Sequence, residues 1–163
     1  MVVTAQIRNQ ARAAGCHIVL AEGTEKRTLQ AASIIVKEKI ARITLLGNPK
    51  EIEAAAQKEK VDLDGIHIID PIKDSHYNEF ATELCRIRAK KGMTMAEALP
   101  IMTDPLYFGT MMVHANICDG MVAGALNTTG NVLRPALQII KTEPGISTVS
   151  GAFLMISAKT HLG

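Results

Sequence analysis

Short apolar runs alternate with helical patterns along the whole of this chain, and that alternation constrains its fold more than any other feature. The runs are rich in Ile, Val and Leu, and the segments between them repeat apolar residues with a helical period. Strands that alternate with helices favour a parallel or mostly parallel sheet with helices on both faces. We therefore predict an α/β fold with three layers, in which a mostly parallel sheet lies between two layers of helices.

The apolar runs give the positions of the strands. We predict four strands at residues 17–21, 42–46, 66–70 and 120–125, and a fifth strand at residues 147–157. Residues 66–69 (IHII) are apolar on both sides, as expected of strands that helices cover twice. In sheets of this kind ligands bind beyond the carboxyl ends of the strands. The loops that follow the strands are therefore where we look for a site.

The fifth run predicts how the chain divides. Residues 1–146 form an amino-terminal α/β domain, which we expect to be incomplete, and residues 147–163 begin a second α/β domain. Only seven residues follow the apolar run at residues 153–156 (FLMI). A strand with two apolar faces needs a cover that so short a segment does not supply. We expect the natural protein to continue into a second domain that this chain lacks.

Composition excludes several classes of function. Aromatic residues make up 3% of the chain and its net charge is +2, which disfavours nucleic acid as a partner. The three cysteines are far apart, and neither a CxxC nor an HExxH motif occurs, so we predict no metal site and a reducing, cytoplasmic location. No apolar run reaches the roughly 18 residues that span a membrane, and no signal peptide is present.

The strongest candidate for a binding site is the loop at residues 119–130 (DGMVAGALNTTG), which follows the fourth strand. Backbone N–H groups, hydroxyls and the start of a helix can all face an anion there. The candidate phosphate-binding residues are Asn127, Thr128, Thr129, Gly130 and Arg134. An ordinary strand–loop–helix with threonine caps is the alternative interpretation. Because Pro135 is awkward deep inside a helix, we expect regular helix to begin near Leu133.

A second candidate is a run of cations that precedes Gly92, namely Arg86, Arg88, Lys90 and Lys91. It could form a patch for a phosphorylated ligand. It could equally be a solvated helix end, where cations interact favourably with the helix dipole and Gly is the usual terminator.

A third candidate, residues 22–27 (EGTEKR), follows the first strand directly. These residues could bind a ligand, or they could simply start a helix that Thr24 caps. The sequence leaves both interpretations open.

Taken together, these segments resemble the phosphate acetyl/butyryltransferase family. The matching blocks keep their order and spacing over nearly the whole chain. The last two blocks, taken together, are the most specific. The blocks are residues 19–32 (VLAEGTEKRTLQAA), 40–48 (IARITLLGN), 88–94 (RAKKGMT), 104–113 (DPLYFGTMMV), and 119–125 (DGMVAGA) with 133–142 (LRPALQIIKT). Two positions depart from the family pattern: Ala21 stands where Pro is usual, and Lys90 where His is frequent.

The resemblance implies reversible transfer of an acetyl group between coenzyme A and inorganic phosphate. It implies coenzyme A as a substrate, no metal and no tightly bound cofactor, two α/β domains with a fold related to isocitrate dehydrogenase, and a homodimer. Arg88 and Arg134 match positions that help to bind coenzyme A or phosphate. The family's base, a Ser and further Arg residues lie in its later part, so we expect no catalytic residue in this chain, but beyond Gly163.

Three other functions remain open from the sequence. A phosphate butyryltransferase would differ in the size of its acyl pocket. A non-catalytic domain that senses acyl-CoA occurs at the carboxyl end of some malic enzymes, although a start at Met1 directly before the first helix disfavours an appended module. A structural α/β domain without a ligand is the third.

Overall fold

The computed structural model of the protein describes residues 2–156. The elements follow one another as α1 Val2–Ala14, β1 His17–Leu20, α2 Lys26–Lys37, β2 Arg42–Leu46, α3 Pro49–Glu59, β3 His67–Ile69, α4 Tyr77–Ile87, a 3-10 turn Ala89–Lys91, α5 Met95–Ile101, α6 Pro105–His114, β4 Gly120–Val122 and α7 Thr129–Ile139. None of the helices in this range is long and apolar enough to cross a membrane.

The four strands form one parallel sheet in the order β3-β2-β1-β4. Val19 at the centre of the sheet pairs with Thr44 on one side and with Met121 on the other. The chain therefore crosses over between strands, and each crossover needs a helix, as the alternating pattern predicts. The predicted α/β fold and four of the five predicted strands are confirmed; β2 has the predicted bounds, and the ends of the other three differ by at most three residues.

Successive strand residues face opposite layers of helices, which explains why the strands are mostly apolar on both faces. Val19 packs among buried residues of α4 to α7, including Phe80 and Met111. The next residue, Leu20, packs with Leu29 of α2 on the other face. The predicted three layers thus follow from the alternation along each strand.

Polar side chains cap the starts of the helices, and the capping residue of α2 differs from the prediction. Thr94 and Glu97 form a capping box on α5, and Asp104 accepts a hydrogen bond from the N–H of Leu106 at the start of α6. The cap of α2 is Glu25 rather than Thr24, which is exposed. The longer Glu25 side chain reaches the N–H of Thr28 at 2.8 Å.

The predicted start of the last helix near Leu133 is wrong. Helix α7 begins at Thr129 and contains Pro135 in its interior. Thr128 caps it by accepting from the N–H of Asn131, so the first turn is stabilised without a later start. Pro135 removes one backbone hydrogen bond, but its ring is buried in the packed interior, and that burial offsets part of the loss.

The predicted fifth strand does not form within residues 147–156, which are the part of its range that the structure describes. Residues 147–156 have no regular secondary structure and pair with no strand among residues 2–156, and a strand without a partner would leave its backbone groups unsatisfied. Their apolar side chains face outward, with Phe153 95% and Met155 87% exposed. Residue 157 lies outside the described residues. The predicted division at residue 146 stays a prediction.

Candidate functional site

A crevice of about 440 Å³ lies at the carboxyl ends of the strands. Residues that follow β1, β2 and β3 line it, namely Glu22, Gly47 and Asp70, together with Asn127 from the loop after β4 and Pro105 from the first turn of α6. Ligands of open α/β sheets bind in this position because loops from several strands converge there.

The Glu22 carboxylate organises one wall of this crevice. Its Oε2 accepts from the backbone N–H groups of Gly124 at 3.1 Å and Ala125 at 2.7 Å. Its Oε1 accepts from the backbone N–H groups of Leu126 and Asn127, and from the Asn127 side-chain amide, each at 2.9 Å. One buried carboxylate therefore binds four consecutive backbone donors and a fifth from a side chain.

Two glycines allow this arrangement. A Cβ on Gly23 would lie 2.6 Å from the carbonyl oxygen of Leu46, so only glycine lets the chain after Glu22 approach β2 this closely. Gly124 has a φ of 108°, a conformation that L side chains rarely adopt, and it turns the loop so that successive N–H groups face one anion.

The hydrogen bonds decide the charge of Glu22. Burial by itself raises the pKa of this carboxyl, because the charged form is poorly solvated. Together, the hydrogen bonds that Leu126, Ala125 and Asn127 donate outweigh the effect of burial, and they hold the pKa of Glu22 below its ordinary value of 4.5. Glu22 is therefore an anion near neutral pH, and it compensates the partial positive charge of the loop.

Arg27 holds the same loop from the other side. Its Nη2 donates to the carbonyl oxygen of Ala125 at 2.8 Å, and its Nε donates to Glu25 at 2.8 Å. Glu25 in turn caps α2. Residues 22–27 thus start a helix and also anchor the loop at residues 124–127, which accounts for Glu22, Glu25 and Arg27 without a ligand.

The anchored loop changes the interpretation of the predicted residues that follow it. Both the backbone and the side-chain N–H groups of Asn127 are engaged by Glu22. The Thr128 hydroxyl accepts from the N–H of Asn131 at 3.3 Å. Thr129 and Gly130 are exposed in the first turn of α7. Residues 128–130 therefore face solvent at the start of a helix.

The charges of Arg88 and Arg134, which lie 46 positions apart in the sequence, both influence the pKa of Tyr107. Burial raises the pKa of Tyr107 above its ordinary value of 10, and the positive charges of Arg134 and Arg88 oppose that rise. The Tyr107 hydroxyl donates to Oε1 of Gln138 at 3.1 Å. Two of the predicted residues, from different parts of the chain, thus both influence the pKa of one phenol.

The rest of the basic run is separate from this neighbourhood. Arg86 donates to both oxygens of Glu83 at 2.7 Å. These bonds, together with His114 on the other side, lower the pKa of Glu83 to about 2. Lys90 and Lys91 are exposed on the turn before Gly92, which ends it in a left-handed conformation. The helix-end interpretation therefore fits Arg86, Lys90 and Lys91 better than it fits Arg88.

A groove of about 580 Å³ along α2, β1 and β4 is almost wholly apolar, and its charged residues Glu22 and Arg27 are already engaged with the loop. It offers little to orient a polar substrate. Among residues 2–156, His, Cys, Asp and Glu side chains form no group of three or more placed to hold a metal ion.

Comparison with known proteins identifies the family. The protein-family model described as phosphate acetyl/butaryl transferase matches residues 2–163 of this chain. The chain belongs to this family. The resemblance of its sequence blocks to phosphate acetyl/butyryltransferases is thereby confirmed.

Named relatives support the same assignment. The phosphate acetyltransferase of Acetivibrio thermocellus is 44% identical over 158 residues, which cover 97% of this chain and 47% of the relative. That of Nitratidesulfovibrio vulgaris is 46% identical over 138 residues, 85% of this chain and 20% of the relative. The chain thus spans less than half the length of these family members.

Solved structures agree with the fold. The EutD phosphotransacetylase from Staphylococcus aureus has a TM-score of 0.85 and 36% identity, covering 94% of this chain and 47% of that one. A phosphotransacetylase from Streptococcus pyogenes has a TM-score of 0.84 and 31% identity, covering 90% and 44%.

Sequence reasoning missed two features of this family member. It treated Glu22 as a ligand or a helix-start residue, because nothing in a linear pattern says that β4 lies beside β1. It gave Tyr107 and Gln138 no role, although both lie within the family-like blocks at residues 104–113 and 133–142. The one signal available in the sequence was that Tyr107 and Gln138 are polar residues in mostly apolar helical segments.

Replacing Glu22 with Gln should destabilise the domain by about 1.5–3 kcal/mol at pH 7, because a hydrogen-bonded charge is lost and an amide N–H group faces backbone donors. The folded-state pKa of Glu22 lies below 4.5, so its stabilisation is present above about pH 4.5 and is lost as pH falls through the folded pKa. The free energy of unfolding of the wild type should therefore approach that of Glu22→Gln at acidic pH. Urea unfolding from pH 7 to pH 3 measures this.

Glu53→Gln is the matched control, since Glu53 is an exposed carboxylate on α3. It should leave stability unchanged at every pH. Equal stabilities for wild type and Glu22→Gln at pH 7 would contradict the role of this carboxylate.

Proposed function

We propose that this chain is the amino-terminal part of a phosphate acetyltransferase, which reversibly transfers an acetyl group between coenzyme A and inorganic phosphate. The observation that carries the proposal is the match to the Acetivibrio thermocellus phosphate acetyltransferase over 97% of the chain. The likeness to two phosphotransacetylase structures supports it independently.

The reaction follows from the substrates. In the direction of acetyl-CoA synthesis, a base removes the proton of the coenzyme A thiol, and the thiolate attacks the acetyl carbonyl carbon of acetyl phosphate. A C–S bond forms, the C–O bond to the phosphoryl group breaks, and phosphate leaves with the electron pair. Cationic and hydroxyl groups stabilise the charge that develops on oxygen. The base and the Ser belong to the part of the family beyond residue 163.

This chain contributes binding residues in our proposal. Arg88 and Arg134 bind phosphoryl oxygens of the substrates, because a guanidinium can donate two parallel hydrogen bonds to such a group. Thr128, Thr129 and Gly130 form the adjacent wall at the start of α7, where helix N–H groups favour an anion. Asn127 closes that wall through its hydrogen bonds to Glu22.

The division of the chain is part of the proposal. Residues 1–146 form the first α/β domain, and residues 147–163 lead into the second. The outward-facing Phe153 and Met155 support this, since a second domain would bury them. Relatives more than twice as long leave room for one. We further propose a cytoplasmic homodimer that uses coenzyme A as a substrate, with no tightly bound cofactor and no nucleic acid or membrane partner.

The alternatives receive less support. The family model includes butyryl transfer, but the relatives described above are named acetyltransferases. No observation favours a domain that senses acyl-CoA.

A hybrid enzyme tests the activity. This chain replaces the 47% of the Acetivibrio thermocellus enzyme that it matches, and thioester absorbance follows acetyl-CoA formation from acetyl phosphate and coenzyme A. We expect the hybrid to turn over at about 1–1,000 per second, the ordinary range of enzymes, and the 163-residue chain alone to show no turnover, since in our proposal it lacks the base.

The unaltered relative is the positive control for this assay. A folded hybrid without activity contradicts the proposed function. Turnover by the 163-residue chain alone contradicts the claim that the base lies elsewhere.

Within the hybrid, Arg88→Ala should raise the Michaelis constant for coenzyme A, and Arg134→Ala that for acetyl phosphate, each about 10- to 100-fold, because a charge-assisted hydrogen bond is lost. The melting temperature of Arg134→Ala should stay near wild type, since an exposed cation adds little stability. Arg86→Ala is the control, because Arg86 is paired with Glu83. Unchanged Michaelis constants in both variants would leave the arginines without a binding role.

A further inference from the structure

One face of β4 is bare on the side of the sheet that α2 covers. Leu20 of β1 and Val122 of β4 are paired neighbours on this face. Leu20 is 6% exposed because it packs with Leu29 of α2, whereas Val122 is 61% exposed. Met121 faces the other side and packs against the buried residues of α4 to α7. Helices normally cover both faces of a parallel sheet, so β4 lacks this cover on one face within residues 2–156.

The apolar groove of about 580 Å³ lies at this bare face. Ile18 and Val122 line it from the sheet, and Ala31 lines it from α2. The charged residues among its lining, Glu22 and Arg27, already bind the loop at residues 124–127. An occupant of this groove must therefore be apolar, because the groove offers it no free charge and little to orient a polar group.

Helix α1 extends this apolar surface. Val3, Ile7 and Ala11 are four residues apart and so share one face of α1, and Ala11 lines the groove. Val3 and Ile7 are 44% and 47% exposed. Salt bridges of 3.0 and 3.2 Å join α1 to Glu38 at the end of α2. The apolar surface therefore continues for about 12 Å along α1, which suits a covering helix better than a small ligand.

The length of the relatives indicates where such a helix comes from. The match covers 97% of this chain but 47% of the Acetivibrio thermocellus enzyme, so more than half of that relative lies outside it. Residues 147–156 do not line the groove. A covering helix needs one apolar stripe, and a helix of the same protein supplies it without the entropic cost of association that a second copy pays.

We propose that a helix from the half of the full-length protein that this chain does not include lies in the groove and covers β4. That half then completes the first α/β domain as well as forming the second. The inference rests on the proposed function only in taking the full-length protein to be a phosphate acetyltransferase as long as its relatives.

Alkylation of Cys16 tests whether the groove is covered, and it needs no variant. Cys16 is partly buried and lines the groove, whereas Cys85 is also partly buried but lies on α4 outside it. Mass spectrometry follows the reaction of each thiol with iodoacetamide in the 163-residue chain and in the hybrid enzyme. Cys16 should react about 10-fold more slowly in the hybrid, because a thiol must be accessible to react, and Cys85 at an unchanged rate.

Equal rates for Cys16 in the two proteins would overturn the inference. Protection of Cys16 that rises with the concentration of the 163-residue chain would also overturn it, because a second copy would then occupy the groove.

A charge placed in the groove gives a second test, with a matched control. Ala31 lines the groove and Ala54 lies on α3 outside it, and both are exposed. In the 163-residue chain, each change to Glu should alter the melting temperature by less than about 2 °C. In the hybrid, Ala31→Glu should lower it by about 4–10 °C, because the covering helix would bury an unpaired charge. Equal effects of Ala31→Glu and Ala54→Glu in the hybrid would contradict the covered groove.

These outcomes are separate from those of the activity assay. A folded hybrid without turnover in which Cys16 is protected refutes the proposed function and keeps the covered groove. An active hybrid in which Cys16 reacts as fast as in the 163-residue chain refutes this inference alone.

Discussion

The rest of the site depends on the bond between the Glu22 carboxylate and the loop at residues 124–127. Glu22 follows β1 and the loop follows β4, so this contact joins the carboxyl ends of two neighbouring strands. Without an anion, four consecutive backbone N–H groups would converge on an empty point. With it, the loop is anchored by these bonds, and the start of α7 lies at the edge of the crevice.

That bond also determines which polar groups of the site stabilise the fold and which are available to bind a ligand. A Gly-rich loop before a helix suggests an anion cradle, yet here a carboxylate of the protein itself occupies the donors of Asn127 and the residues before it. An incoming phosphoryl group would find residues 128–130 and the arginines instead. Arg88 and Arg134 therefore become the main source of positive charge in our proposal.

Local patterns in the sequence predicted the fold because local physics decides most of it. The apolar runs gave four strands, and caps such as Asp104 gave helix starts within a residue. The errors arose where distant contacts override local preference. Burial of Pro135 and the Thr128 cap allow α7 to begin early. Residues 147–156 have strand composition but no partner strand among the described residues. The roles of Glu22 and Tyr107 depend on which strands and helices are neighbours, which one sequence does not state.

The most direct test of this account is the titration of Glu22 itself, observed through its side-chain carboxyl carbon by NMR in the folded protein. We expect a midpoint below the ordinary value of 4.5, with the amide protons of residues 124–127 shifting at the same pH, because they donate to that carboxylate. A midpoint at or above 4.5, with loop amides that do not respond, would contradict the central role of Glu22.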